Sequence, residues 1–332
     1  MTAEATTGAR PGGLPMVVPA QDLPPRVRIY EVGARDGLQN EKAVVPTEIK
    51  AEFIRRLAAA GLTTVEATSF VHPKWVPQLA DSEQLFPLVR DLEQDLERDG
   101  AAKLPVLVPN DRGLDRALAL GARGIAVFVS ATESFAKANL NRTMAEALAM
   151  SEPVVARAHE QKVHVRGYLS MCFGDPWEGP VPIARVVRTA KALLDMGCDE
   201  LSLGDTIGVA TPGHVLALLA ELNEEGVPTD RIGVHFHDTY GQALSNTLAA
   251  LQHGVRTVDS SAGGLGGCPY AKSATGNLAT EDLVWMLDGL GIETGVDLGR
   301  LTATSAWMAE QLGRPSPSRT VRALTGTSHQ EQ

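Results

Sequence analysis

The chain reads as an α/β protein of the (β/α)8 TIM-barrel class with one additional C-terminal helix. Three observations predict this. Eight short strand-like runs alternate with helical ones, several of the helical runs close on a glycine, and no Gly-x-Gly-x-x-Gly turn follows the first strand. Regular alternation implies a parallel sheet, and eight repeats suit closure into a barrel. The missing fingerprint removes the main reason to prefer an open dinucleotide-binding sheet. A length of 332 residues is ordinary for one such barrel.

The strand runs are Val27–Glu31, Thr64–Thr68, Pro105–Val108, Ile125–Ser130, Val163–Ser170, Glu200–Leu203, Ile232–His237 and Thr257–Ser260. Helical patterns cover Pro46–Ala60, the segment after Asp81, Gly113–Gly121, Met144–Gln161, Ile183–Gly197, Pro212–Gly226, Gln242–Gly254 and Asn277–Leu290. Gly61, Gly121, Gly197 and Gly254 stand where helix C-caps want a residue that accepts positive φ. The extra helix is expected at about Leu298–Leu312. The predicted organisation is a disordered tail over 1–25, a catalytic barrel over 26–292, an appended helix packed on it within 293–315, and a flexible polar tail over 316–332.

Hydrophobic residues make up 44% and charged residues 21% of the chain, a balance that supports a large soluble core. The formal net charge of −10 argues against nucleic acid and anionic membrane as partners, so an anionic substrate needs locally placed Arg or Lys. No apolar run is long enough to span a bilayer. The three cysteines, Cys172, Cys198 and Cys268, form no disulfide framework and point to a reducing compartment. The N-terminal stretch lacks the apolar core of a secretory signal, and its acidic residues do not suit a transit peptide; the cytoplasm is expected.

In such a barrel, chemistry belongs at the C-terminal ends of the strands. Strand seven carries Val234-His235-Phe236-His237, and residues two apart on a strand share a face, so both imidazoles can close on one ion. Strand one runs into Glu31-Val-Gly-Ala-Arg35-Asp36-Gly37-Leu-Gln39-Asn40. The last strand leads to Gly263-Gly-Leu-Gly-Gly267-Cys268-Pro-Tyr and on to Asn277. Asp36 offers a hard oxygen ligand or else a turn cap; Asn277 offers a carbonyl oxygen or else the N-cap of the following helix. Mixed oxygen and nitrogen ligation with open positions suits Mg2+ or Mn2+ better than structural zinc.

Arg35 is placed to stabilise a developing enolate, or to pair with Glu31, Glu66 or Asp205. Glu66, a carboxylate in an otherwise apolar strand, demands a charged partner and reads as a supporting or proton-handling group. Cys268 follows a glycine-rich run and reads as a general acid or base, or as a passive turn thiol. Asp205-Thr206 and Arg166 face the same mouth, though each alone reads as structural. Gln39, Ser69 and Gly267 stand beside these groups and are assigned to substrate binding or support.

With these motifs in view, the chain resembles the 3-hydroxy-3-methylglutaryl-CoA lyases, of the metal-dependent lyase and Claisen-type synthase group built on a barrel. The likeness runs from about Val27 to Leu312. It rests on Glu31-Val-Gly-Ala-Arg-Asp-Gly-Leu-Gln-Asn-Glu41, Thr68-Ser-Phe-Val-His-Pro-Lys-Trp-Val-Pro-Gln78, Val234-His-Phe-His-Asp-Thr-Tyr-Gly-Gln-Ala243 and Gly264-Leu-Gly-Gly-Cys-Pro-Tyr-Ala271. The resemblance implies metal ligation by Asp36, His235, His237 and Asn277, enolate stabilisation by Arg35 and proton transfer by Cys268. It also implies functional weight for the acids Glu66, Asp205 and Glu281. The implied reaction cleaves an acyl-CoA thioester to acetyl-CoA and acetoacetate, as in leucine catabolism, with no redox cofactor. A homodimer is implied by the same likeness alone.

The chain departs from the family pattern at His72, where Ser is common, and at Asp175, where many members carry a second cysteine. These positions bear on the acyl group more than on the reaction. Three rivals follow: a lyase for a bulkier 3-hydroxy-3-alkylglutaryl-CoA, a synthase condensing acetyl-CoA with a 2-oxo acid, and a non-catalytic metal-binding barrel. The Gly-Gly-Cys-Pro-Tyr loop argues against the synthase, and Arg35, Glu66 and Cys268 together argue against the inert barrel.

Overall fold

The structure, a computed structural model, describes residues 13–93, 102–267 and 276–326. Eight parallel strands form the sheet: β1 Arg28–Glu31, β2 Thr68–Ser69, β3 Val106–Leu107, β4 Gly124–Ser130, β5 His164–Ser170, β6 Glu200–Asp205, β7 Ile232–Phe236 and β8 Thr257–Ser260. Their spatial order is β1-β8-β7-β6-β5-β4-β3-β2. The ring closes just ahead of β2, where Glu31 N donates to the Thr64 carbonyl (3.0 Å) and Glu66 N donates to the Glu31 carbonyl (2.8 Å). The barrel expectation therefore holds. The second strand is shorter than expected, with only isolated bridges at Thr64 and Val65 before it.

Around the barrel lie α1 Thr47–Ala59, α2 Ser82–Val89, α3 Asp111–Ala119, α4 Glu133–Leu140, α5 Met144–Glu160, α6 Ile183–Asp195, α7 Pro212–Glu224, α8 Ala243–Gln252 and α9 Thr280–Gly289. Outside them come α10 Leu298–Gln311 and α11 Arg319–Gly326. Local chemistry starts several of these helices. The Asn110 side chain accepts from Gly113 N (3.0 Å) to cap α3, and Thr143 and Glu146 form a reciprocal capping box on α5. α10 is the expected C-terminal helix; Asp297 caps it, and its Trp307 ring lies 4.4 Å from the Arg56 guanidinium of α1.

Strand alternation divides the side chains into two environments. Ile29, Ile125, Val127, Val165, Leu169, Leu201, Val234 and Val258 belong to the main apolar core of buried strand and helix residues. Several of the alternate positions are polar or charged: Arg28 and Tyr30, Arg166 and Tyr168, Glu200 and Ser202, His235, and Asp259. Packed barrel interiors are usually filled by branched apolar layers. This lumen holds buried charge.

Both ends are more structured than the sequence predicts. Within the expected N-terminal tail, Val18 N donates to the Gly289 carbonyl (2.9 Å) and Glu293 N donates to the Pro25 carbonyl (2.9 Å). The expected flexible tail after 315 instead forms α11. Its start is pinned by Asp282, which accepts from Ser318 Oγ (2.8 Å) and Thr320 N (2.8 Å). α4 is a further helix that the periodicity leaves out. Its short span ends at Asn141 in the left-handed region (φ 53°).

The docking of α10 leaves no room behind α1. Gly61 sits at φ +96°, and a Cβ there would lie 2.1 Å from the Gly295 carbonyl oxygen. Gly61→Ala is expected to cost at least about 1 kcal/mol from backbone strain alone. A urea melt would read this as a lower midpoint at unchanged slope; an unshifted midpoint contradicts the docking.

Candidate metal centre and its surroundings

β1 ends in a single turn of π-helix over Gly33–Gly37, in which Gly37 N donates five residues back to the Val32 carbonyl (3.0 Å). Such widened turns are rare and recur at functional sites. This one brings Arg35 and Asp36 to the mouth of the barrel. Gly37 is required by close approach: a Cβ there would meet Ser261 Oγ at 2.7 Å and Leu265 Cβ at 2.9 Å.

Opposite this turn, Asp36, His235 and His237 bring one ligand atom each to within 4.8 Å of one another. An ion with bonds of about 2.1 Å separates its ligands by roughly 3–4 Å, so a small closure would complete the cluster. Asn277 joins it. Its Nδ2 donates to Asp36 Oδ2 (2.8 Å) and to the Leu265 carbonyl (3.0 Å), while its buried Oδ1 has no hydrogen-bond partner among the described residues. That carbonyl oxygen is a candidate fourth ligand. The alternative N-cap role is corrected, because α9 begins at Thr280 with Ala279 at the cap position.

Arg35 lies against two carboxylates: Nε donates to Glu66 Oε2 (2.6 Å) and Nη1 to Asp36 Oδ1 (2.8 Å). The pairings with Glu31 and Asp205 do not occur. Burial disfavours charge on Arg35, but Glu66 and Asp36 outweigh it and raise its pKa. Asp36 is pushed up by burial, yet Arg35 and then the two histidines overcome this and hold it at about 2. Glu66 is fully buried, and desolvation keeps its pKa raised despite Arg35. Tyr168 also donates to Glu66 Oε2 (3.2 Å).

Below the cluster, Asp259 links several groups that the motifs leave out. Its Oδ1 accepts from Arg166 Nη2 (2.6 Å), and its Oδ2 from Ser202 Oγ (2.8 Å) and lies 3.2 Å from His235 Nδ1. Arg166 also pairs with Glu200 through Nε (2.8 Å) and stacks 3.9 Å from the Tyr30 ring centre. Arg166 is therefore buried beneath the site, where it meets protein groups and not solvent. Asp259 lies in Thr257–Ser260, a short strand whose only apolar residue is Val258, so no apolar run singles the acid out.

The remaining predicted residues brace the mouth. Asp205 accepts from the backbone N–H groups of Val209 and Ala210 (2.9 Å each), and Thr206 Oγ1 accepts from Met171 N (2.9 Å). Desolvation lifts Asp205 to about 6 against those N–H donors. Ser69 ends β2, with its carbonyl accepting from Ser82 Oγ (2.7 Å). Gln39 is half-buried just past the π-turn, and the Gly267 carbonyl accepts from Asn40 Nδ2 (2.7 Å). Cys268 lies outside the described residues.

Two buried acids hold the turn Ala262–Gly264 that follows β8. Glu31 accepts from Gly33 N (2.7 Å), Ala262 N (2.8 Å) and Thr280 Oγ1 (2.6 Å). Glu281 accepts from Gly263 N (2.9 Å) and from Ser305 Oγ. Glu281 is thus a brace at the base of the loop. Desolvation raises Glu31 to about 7 and Glu281 to about 8, against the hydrogen bonds that favour their charged forms.

A (β/α)8 barrel with an acid, two histidines and an arginine at its C-terminal mouth defines a barrel enzyme equipped for a divalent cation. The chain belongs to the HMGL-like family, whose model matches residues 26–308. It is 52% identical over 305 residues to a mitochondrial hydroxymethylglutaryl-CoA lyase of Arabidopsis thaliana, covering 92% of this chain and 64% of that one. The structure of hydroxymethylglutaryl-CoA lyase from Pseudomonas aeruginosa superposes with a TM-score of 0.87 at 43% identity, covering 92% of this chain and all of that one. An HMG-CoA lyase from Acenitobacter baumannii, solved with coenzyme A and 3-methylmalate, superposes at 0.84 with 33% identity, covering 95% of this chain and 99% of that one.

The raised pKa of Glu281 sets a direction for stability. A carboxyl that stays protonated in the folded state to about 8, against an ordinary 4.5, binds more protons folded than unfolded over that window. Its contribution is full below pH 4.5 and is lost as pH rises toward 8. Glu281→Gln is expected to flatten this fall, giving a smaller drop in thermal midpoint between pH 5 and pH 8 than the parent shows. Equal drops in both proteins contradict the assignment.

Proposed function

We propose that this protein cleaves 3-hydroxy-3-methylglutaryl-CoA to acetyl-CoA and acetoacetate, using a divalent cation, Mg2+ or Mn2+, held by Asp36, His235, His237 and Asn277. The observation that carries this reading is the convergence of Asp36, His235 and His237 beside the Arg35–Glu66 pair. The unpartnered Asn277 Oδ1 and the low pKa of Asp36 suit a hard cation. Bound there, the cation would supply Lewis-acid stabilisation to the C3 hydroxyl oxygen as it ionises. The relatives named as hydroxymethylglutaryl-CoA lyases support the choice of thioester.

The chain's own groups have defined work in this reaction. As the C3 hydroxyl loses its proton, a C3 carbonyl forms, the C2–C3 bond breaks, and its electrons pass to C2 as the enolate of acetyl-CoA. Arg35 meets that enolate oxygen with a guanidinium whose Nε and Nη1 are already fixed by Glu66 and Asp36. Pre-fixed charge needs little reorganisation when the oxyanion develops. Glu66, with Oε2 on Arg35 and Tyr168, orients the arginine. Protonation of C2 is assigned to Cys268 by family resemblance.

The buried thiols Cys172 and Cys198 suit a reducing compartment, and the cytoplasm is the location this reading carries. Leucine breakdown as the pathway and a homodimer as the assembly rest on the resemblance.

The test is acetoacetate release from the thioester after chelation and after restoring Mn2+ or Mg2+. Activity is expected to vanish with the chelator and return with the ion; activity indifferent to both refutes the metal assignment. Arg35→Gln is expected to lower turnover by about 100-fold or more while Mn2+ binding persists. An unchanged rate removes Arg35 from the chemistry.

A further inference from the structure

We propose that Asp259 is a positioning residue for the cation site: it holds the His235 ring by Nδ1, so that Nε2 is the nitrogen presented to the ion. The inference rests on the cation site proposed above and deepens it. Sheet register builds the contact. His235 in β7 pairs directly with Asp259 in the adjacent parallel strand β8, and their side chains meet inside the lumen.

A carboxylate buried at 0% exposure needs partners, and Asp259 has three. Arg166 occupies Oδ1, and Ser202 and His235 share Oδ2. An ionised carboxylate only accepts, so the ring nitrogen facing it is the one that carries hydrogen. A neutral imidazole protonated at Nδ1 keeps its lone pair on Nε2.

Arg166 keeps Asp259 in place because it is itself clamped. Tyr30 lies 3.9 Å below its guanidinium carbon and Tyr168 5.1 Å away, while Glu200 takes its Nε. Glu200 in turn pairs with Arg28 at the start of β1. Arg28, Glu200, Arg166, Asp259 and His235 thus make a row of alternating charge within the lumen. Glu200, Arg166 and Asp259 are buried beneath the His235 ring, which leaves them a positional task. Partners that orient a metal-bound histidine are typically worth 10–100-fold in metal affinity.

The test is titration of metal-free protein with Mn2+ alone, followed by electron paramagnetic resonance, for the parent, His237→Ala and Asp259→Asn. The expected result is binding by the parent, its loss in His237→Ala, and affinity weaker by roughly 10–100-fold in Asp259→Asn. A parent that takes up no Mn2+ defeats the cation site and this inference with it. A parent that binds, with Asp259→Asn binding equally well, defeats the role of Asp259 alone. Nitrogen-15 spectra of the histidines in metal-free parent protein at alkaline pH decide the matter even where the variant fails to fold. His235 is expected as the Nδ1–H tautomer, and the Nε2–H tautomer overturns the proposal.

Discussion

Charge buried inside a barrel must be neutralised by other charge within reach, and that requirement governs this structure. Two buried arginines stand in the lumen, Arg35 near the mouth and Arg166 beneath it, and each is matched by two carboxylates. Removing one partner from such a pair typically costs about 3–5 kcal/mol, because the remaining charge is stranded away from water. Surface pairs such as Arg26–Glu293, with both side chains exposed, carry far less weight. The inner pairs therefore constrain where β1, β2, β5, β6 and β8 place their side chains, and the site inherits its geometry from them.

Two tiers of polar contacts result. The upper tier, Glu66, Arg35 and Asp36, lies at the mouth beside the two histidines; the lower tier, Glu200, Arg166 and Asp259, lies beneath it. Tyr168 joins them, with its hydroxyl on Glu66 and its ring against both arginines. Tyr168 is thus the side chain through which the two tiers are in contact.

Much of this was legible in the sequence. The repeating strands and helices announce the barrel, and Asp36, His235 and His237, which the structure brings within 4.8 Å of one another, stand out as a candidate cation cluster through residue type and spacing. What escaped has physical reasons. Asp259 lies in the short strand Thr257–Ser260, where four residues give alternation little room to mark one acid as inward. Glu200 looks like a solvated strand start until Arg166 and Arg28 are seen beside it. α11 is eight residues long; it buries Val321 and sets Leu324 against the core, a stripe too short to mark a helix by periodicity, and hydrogen bonds to the distant Asp282 pin its start. Asn277 reads as a ligand with a helix cap as its alternative, and its distance from the start of α9 removes the cap.

The segment from Ser316 to Ser318 has a practical consequence. Ser316 Oγ donates to the Gly263 carbonyl (3.0 Å), and Ser318 ties to Asp282, so this segment rests on the same turn that Glu31 and Glu281 grip from beneath. Trimming the protein after α10 to obtain a tidier crystallisation fragment would strip a strap from the rim.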